Sequence, residues 1–466
     1  MMATMRGALA FSLALEVIAG CGDNLAGPPD AAPPSGSLSL VGHTDLMARG
    51  MNSAMAIVGN HAYIGSRTDG VTHANAGILV VDISDPSAPA VVGAIGEPVA
   101  DLRGVSTREL RGIPSKNQLV VLSFPCADIH GCLGPAAEVG NIRVFDLSTP
   151  TAPTLLGTFF FGNLFRSLPG HEFFLWQDPG DPNRVLLHLS TPIGPPAYQV
   201  LDISDPANMT IAYAWDPIDD GGLAEVRTSD TLLHSVAVTR DGTMGLFSSE
   251  GAGFYLVDTS DIAAGVTPGE ISLLTPSDNR VDYSPPAFAG LHSATMIPGR
   301  DLAVITDEIY PAPIFEGCPW GWARIVSVAD PTAPQVVSEF RHEKNDPAVC
   351  AGGRGPEFVT YTAHNTTNTE SLSLITWHSA GLQVLDTTDP TNPTRLAEFL
   401  PEPVDGIATE DPTLGGEPIL MWSYPIIKDG LIYVIDIRNG LYVLRYSGTY
   451  ENEIARRAFL EGNSNL

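Results

Sequence analysis

One strand–turn–strand unit recurs seven times along this chain, and a recurrence on that scale narrows the possible folds to very few. The clearest copy is GILVVDISDPSAP at 77–89, which returns as IRVFDLSTPTAP at 142–153 and YQVLDISDP at 198–206. Looser copies are FYLVDTSD at 254–261, ARIVSVADPTAP at 323–334 and LQVLDTTDPTNP at 382–393, while GLYVLRY at 440–446 stops where the turn should begin. Anchored at 82, 146, 202, 258, 327, 386 and 445, the units lie 56 to 69 residues apart. That period holds about four strands, the size of one propeller blade. The expectation is an all-β, seven-bladed β-propeller over residues 38–450, with residues 451–466 as a C-terminal tail.

Each unit has a local rationale. The β-branched run suits a pleated strand buried between neighbours. The aspartate closing it (Asp82, Asp146, Asp202, Asp258, Asp386) can accept hydrogen bonds from turn N–H groups, and the proline that follows fixes the turn. These aspartates are therefore structural. The strand expected after the seventh turn is missing, but SLSLVG at 37–42 has its character. Pairing that N-terminal strand into the last blade closes the ring and removes two open sheet edges. The copies resemble the LVIVD-repeat family, named for this strand, and the resemblance spans nearly the whole mature chain. It implies the propeller fold and little about activity.

The charge balance excludes one partner class. Asp and Glu number 53 against 24 Lys and Arg, a formal net charge of −29, which repels nucleic-acid backbones and anionic membrane surfaces. The first 21 residues read as a targeting segment: an apolar run from Gly7 to Leu15, then Ile18-Ala19-Gly20-Cys21, similar to a bacterial lipobox in which Cys21 is acylated. Residues 22–37, rich in Gly, Pro and Ala, read as a flexible tether. Gly22 after the cysteine implies, by that resemblance, the outer membrane of a cell envelope, with the lipid as the sole membrane contact; the alternative is a free secreted protein. Removing Cys21 leaves Cys126, Cys132, Cys318 and Cys350, an even number that suggests two disulfides in an exported chain. A monomer is expected.

The functional candidates come from matching the blades. His234 opens the inner strand of blade 4 and Glu250 closes its second strand; His292 and Glu308 do the same in blade 5, at the same spacing of sixteen residues. Blade 6 offers His364 and His378, blade 3 His171 and His188, and blade 7 Trp422 with Asp436, while blade 1 offers Asn52-Ser53 with Arg67 and blade 2 shows no counterpart. Four histidines thus occupy one inner-strand position in consecutive blades and can converge at the mouth of the axial channel. Imidazoles backed by carboxylates are what a divalent iron, copper or zinc ion needs. The proposed ligands are His171, His234, His292 and His364, with His188, Glu250, Glu308, His378 and Asp436 as auxiliary or outer groups. Two readings remain open: a binding or interaction module, whose partner is a protein or small molecule and whose histidines cap strands or hold a ligand, and a metal-dependent enzyme, an oxidoreductase among the candidates. The acidic turn from Asp216 to Gly222 lacks the spacing of a calcium loop and reads as structural.

Overall fold

Every copy of the repeat supplies the third of four antiparallel strands in a blade; of the seven sheets that form the propeller, six have four strands and the last has a fifth added on its inner edge. This is seen in a computed structural model that describes residues 35–67, 77–95, 105–125, 140–161, 170–191, 196–223, 232–282, 290–309, 321–345, 360–407 and 418–466. Cys21, Cys126, Cys132, Cys318 and Cys350, with the expected lipid and disulfides, lie outside those residues. In chain order the inner strands are Asn52–Val58, Val105–Ile113, Glu172–Gln177, Leu232–Val238, Leu291–Met296, Thr366–Asn368 and Ile426–Lys428.

The sheets bury both faces because each packs against two neighbours. Met55, Ile64 and Val81 of blade 1 meet Tyr433 and Val443 of blade 7 on one side. On the other side Tyr63 and Val80 meet Leu110 and Val121 of blade 2. A repeat strand such as Ile78–Asp82 is therefore apolar at successive positions instead of alternating, and each such side chain contributes about 1.5–3 kcal/mol by leaving water.

The turns behave as their chemistry predicts. Asp82 accepts the Ser84 N–H at 2.8 Å, and the same bond forms at Asp146, Asp202, Asp258 and Asp386. The Asp-Pro turn also clasps the preceding blade. A side chain at Gly42 would stand 2.1 Å from the Pro86 carbonyl oxygen, and one at Gly157 would stand 1.8 Å from that of Pro206. Where the clasped residue is not glycine it is a small hydroxyl: Thr275 donates to the Pro331 carbonyl at 2.6 Å and Ser338 to that of Pro390 at 2.6 Å. Blade 4, whose FYLVDTSD copy lacks the proline, instead turns through a short helix, Ser260–Ala264, ended by Gly265 at φ 72°.

Both ends of the fold meet in blade 7. Ser37–Thr44 runs antiparallel to Gly440–Ser447, with Ser37 opposite Ser447 and Thr44 opposite Leu441. Residues 451–466, expected as a tail, are packed into the structure. After a helix at Glu451–Ala455, Phe459–Leu460 pairs with Lys428 and Ile427 on the inner edge of the blade. The last residues then reach blade 3, where the Leu175 N–H donates to the Asn463 carbonyl at 3.1 Å and the Asn465 N–H to the Leu175 carbonyl at 3.2 Å. This segment runs along the inner strands, where Asn463 also donates to the Phe173 carbonyl at 2.7 Å.

Candidate metal centre

The inner strands of blades 2, 4 and 5 each carry one extra residue near their start. Pairing with the second strand skips from Thr107 to Glu109, from Leu233 to Ser235 and from Leu291 to Ser293. The skipped residues are Arg108, His234 and His292. A bulge of this kind turns its extra side chain out of the pairing pattern. Blades 3, 6 and 7 place His171, His364 and Trp422 at or just before the same point. The rings follow one another around the axis: centroids are 4.3 Å apart for His171 and His234, 4.1 Å for His234 and His292, 3.8 Å for His292 and His364, and 5.6 Å for His364 and Trp422. The four matched histidines are neighbours in space.

Carboxylates stand among them. Glu308 Oε1 lies 3.2 Å from His364 Nε2 and 3.1 Å from His378 Nε2, while its Oε2 lies 3.7 Å from His292 Nε2. Glu172 Oε1 is 3.7 Å from the same His292 nitrogen. Three groups at the ring have ligand atoms all within 4.8 Å of one another: His171 with Glu172 and His234, His234 with His292 and Glu308, and Glu308 with His364 and His378. Each is two imidazoles and one carboxylate, a donor set that suits iron or zinc. Among the described residues no group within that distance joins all four matched histidines. Neighbouring blades spread the rings along an arc, and the carboxylates fill the gaps between them.

Protonation favours ligation. Burial holds the His234 ring down to about 3 and that of His378 to about 4, and it keeps His171 and His292 well below the usual range, so these rings are neutral. Burial works against the charge on Glu308, but any positive charge on the His364 and His292 rings, and hydrogen bonds from His364 and His378, hold its carboxyl well below the ordinary value. Hydrogen bonds select the tautomers. His364 Nδ1 is 2.6 Å from the Trp422 carbonyl, which can only accept, so this nitrogen carries the proton. Burial and then the Glu109 charge push the Glu172 carboxyl up to about 8; its Oε2 accepts from Ser235 Oγ at 2.6 Å, and that hydroxyl in turn accepts from His234 Nδ1 at 3.0 Å. In both rings the neutral form presents the Nε2 lone pair, the arrangement that orients a metal-binding histidine.

The remaining candidates divide. His378 joins the site. Glu308, expected as an outer group, faces three imidazoles directly. Glu250 is buried and pushed up to about 8, by desolvation and then by the Glu308 charge, but belongs to none of the three groups. His188 points into blade 3, with Nδ1 2.6 Å from the Tyr198 hydroxyl. It lies mid-strand, opposite Phe174, two residues before the position that faces the mouth. Asp436 accepts the N–H groups of Leu420, Arg438 and Asn439 and so fixes a turn. In the acidic turn, Asp216 accepts the N–H groups of Ala197, Ile218 and Asp219, a structural role. The matching of blades missed Glu172 and Arg108. Both were available to it: Glu172 follows His171 as Ser235 follows His234, and Arg108-Glu109 is the pair that blade 2 seemed to lack.

Comparison with known proteins agrees with the repeat. The LVIVD repeat profile matches residues 49–95 and 198–216, so the chain carries LVIVD repeats in its first and third blades. No curated protein matches the chain. Solved structures similar to it include Sqt1 from Chaetomium thermophilum, 14% identical, covering 88% of this chain and 86% of that one with a TM-score of 0.46. The β-propeller domain of Cps50 (Swd1) from Myceliophteria thermophila is 10% identical, with coverage of 86% and 98% and a TM-score of 0.48. The periplasmic gluconolactonase PpgL of Pseudomonas aeruginosa is 12% identical, with coverage of 86% and 98% and a TM-score of 0.49.

Proposed function

We propose that this LVIVD-type propeller is a binding module whose axial mouth holds a divalent transition-metal ion, with Glu308, His364 and His378 as ligands and His234 and His292 beside them. One observation carries the reading. The Nδ1 proton of His364 is committed to the Trp422 carbonyl, so Nε2, turned toward a carboxylate oxygen 3.2 Å away, is the ring atom left to meet a cation. Two electron-rich atoms that close, both buried, repel each other unless a proton or a metal ion lies between them. A metal ion with bonds of about 2.0–2.2 Å fits donors at that separation. The two-histidine, one-carboxylate composition leaves positions for a further ligand, which is how such a site binds a small molecule or supports oxidoreductase chemistry.

The test is metal analysis of protein purified without chelators, alongside His364→Ala and Glu308→Gln. Stoichiometric iron, zinc or copper that falls in both variants supports the reading. Protein that holds no transition metal and takes none up on titration overturns it. The lipobox-like Ile18–Cys21 supports a further part of the proposal, tethering to the cell envelope through a lipid on Cys21. Mass spectrometry of the N-terminal peptide of membrane-extracted protein, with Cys21→Ser released to the soluble fraction, tests that part.

A further inference from the structure

The ring of matched positions is completed by cations. Blade 2 contributes Arg108, the bulged residue equivalent to His234 and His292. Blade 1 contributes Arg67, one residue beyond the second strand, where blade 5 has Glu308. Both guanidiniums lie against Trp422, the blade 7 member of the ring: Arg67 Cζ is 4.0 Å and Arg108 Cζ 5.5 Å from its ring centroid. Trp422 in turn stacks on His364 at an interplanar angle of 28°. The guanidiniums therefore continue the arc of imidazoles.

Their charge is felt within the site. Arg108 acts on His171, His234 and Glu172, and Arg67 acts on His378. Arg111 is bound to Glu109 at 3.0 Å, and the Arg108 charge acts on that same carboxyl. Once a divalent ion is bound, that ion and two guanidiniums face the carboxylates of Glu172 and Glu308, which leaves the mouth positive. In a chain with a formal charge of −29, attraction for an anion has to be built locally in this way.

Resting on the metal reading, we infer that the mouth binds a small oxyanion, a carboxylate or a phosphate, between the metal ion and the guanidiniums of Arg67 and Arg108. Planar guanidinium forks bind such groups through paired N–H bonds, and stacking on an indole face holds the fork in place. Trp422 sets the orientation of both.

Cobalt(II) serves as the probe ion, because its visible absorption reports what else it binds. Cobalt-loaded protein is titrated with acetate and, separately, with inorganic phosphate, and the shift is read per bound cobalt. A saturable shift is expected, with affinity at least about tenfold weaker in Arg67→Gln and Arg108→Gln. Arg67→Lys and Arg108→Lys, which keep charge and bulk, should fall between, and they preserve the test if a glutamine variant does not fold. A response to acetate alone assigns carboxylates, and a response to phosphate alone assigns phosphates. A cobalt band insensitive to both anions, or arginine variants as tight as the wild type, overturns this inference and leaves the metal reading standing. Absence of any cobalt band overturns both.

Discussion

Glu308 Oε1 stands 3.2 Å from His364 Nε2, across the boundary between blades 5 and 6, and within 3.1 Å of His378 Nε2. Its second oxygen turns back to His292 of its own blade. One carboxylate thus ties together three imidazoles from two blades. The contact exists because Glu308 follows the second strand of blade 5, at the end of the sheet where the inner strands begin.

Replacing Glu308 by Gln keeps the volume and removes the charge. The expected result is a loss of metal affinity exceeding the roughly 100-fold that accompanies loss of an outer partner. Isothermal titration with zinc and with iron(II) checks this, and Asp436→Asn is the comparison. Asp436 fixes the Leu420–Asn439 turn, so its variant should lower thermal stability with far less effect on affinity. Equal affinities for wild type and Glu308→Gln would remove Glu308 from the site.

The clasp between blades predicts an order of stability losses. Adding a methyl at Gly157 sets it 1.8 Å from the backbone oxygen of Pro206, so Gly157→Ala forces two blades apart. Overpacking of this kind costs about 1–3 kcal/mol. Ser338→Ala removes the hydrogen bond to the Pro390 carbonyl, about 1 kcal/mol. Urea midpoints should rank wild type above Ser338→Ala and Ser338→Ala above Gly157→Ala. A Gly157→Ala midpoint equal to wild type would show that the blades yield there without cost.

The fold was legible because a repeat writes the same physics seven times: an apolar run buried on both faces, an aspartate for the turn, and a proline to fix it. The ring of His171, His234, His292 and His364 was legible for the same reason, since equivalent residues of adjacent blades are neighbours. Residues outside that periodicity were harder to read. The bulge at Arg108 hides it within a nine-residue strand whose pattern shows no histidine. His188 and Asp436 sit close to the expected positions in sequence, but two residues move a side chain about 7 Å along a strand, which carries His188 from the mouth into the interior of its blade. The path of Asn463 and Asn465 along blade 3 had no counterpart in the repeat at all.

His188 should make the protein acid-sensitive. Its ring is held by burial at about 3, against about 6.5 when unfolded, and its Nε2 has no hydrogen-bond partner among the described residues. Between these values the unfolded chain binds a proton that the folded chain excludes. Stability is therefore complete above pH 6.5 and declines as the pH falls, by about 2 kcal/mol at pH 5. His188→Leu loses the Tyr198 contact and is less stable than wild type at pH 7, yet it escapes this penalty. The difference between the two, from denaturant unfolding at pH 7 and pH 5, should shrink at pH 5. A constant difference would mean that the folded protein protonates His188 as readily as the unfolded chain does.

The crossing segment after blade 7 yields the last test. Asn463 is buried, its side chain donating to the Phe173 carbonyl at 2.7 Å while its own carbonyl accepts from Leu175. Asn463→Ala leaves the Phe173 oxygen without this donor inside the fold, at about 1–3 kcal/mol. Asn465→Ala, at a less buried position where the side chain donates to the Gln177 carbonyl at 2.8 Å, should cost less because water can replace the donor. Hydrogen exchange at the Leu175 amide, which donates to Asn463, should quicken in the first variant more than in the second. If neither variant changes that amide, the segment is held by Phe459–Leu460 alone, and its contacts with blade 3 contribute nothing to the closed ring.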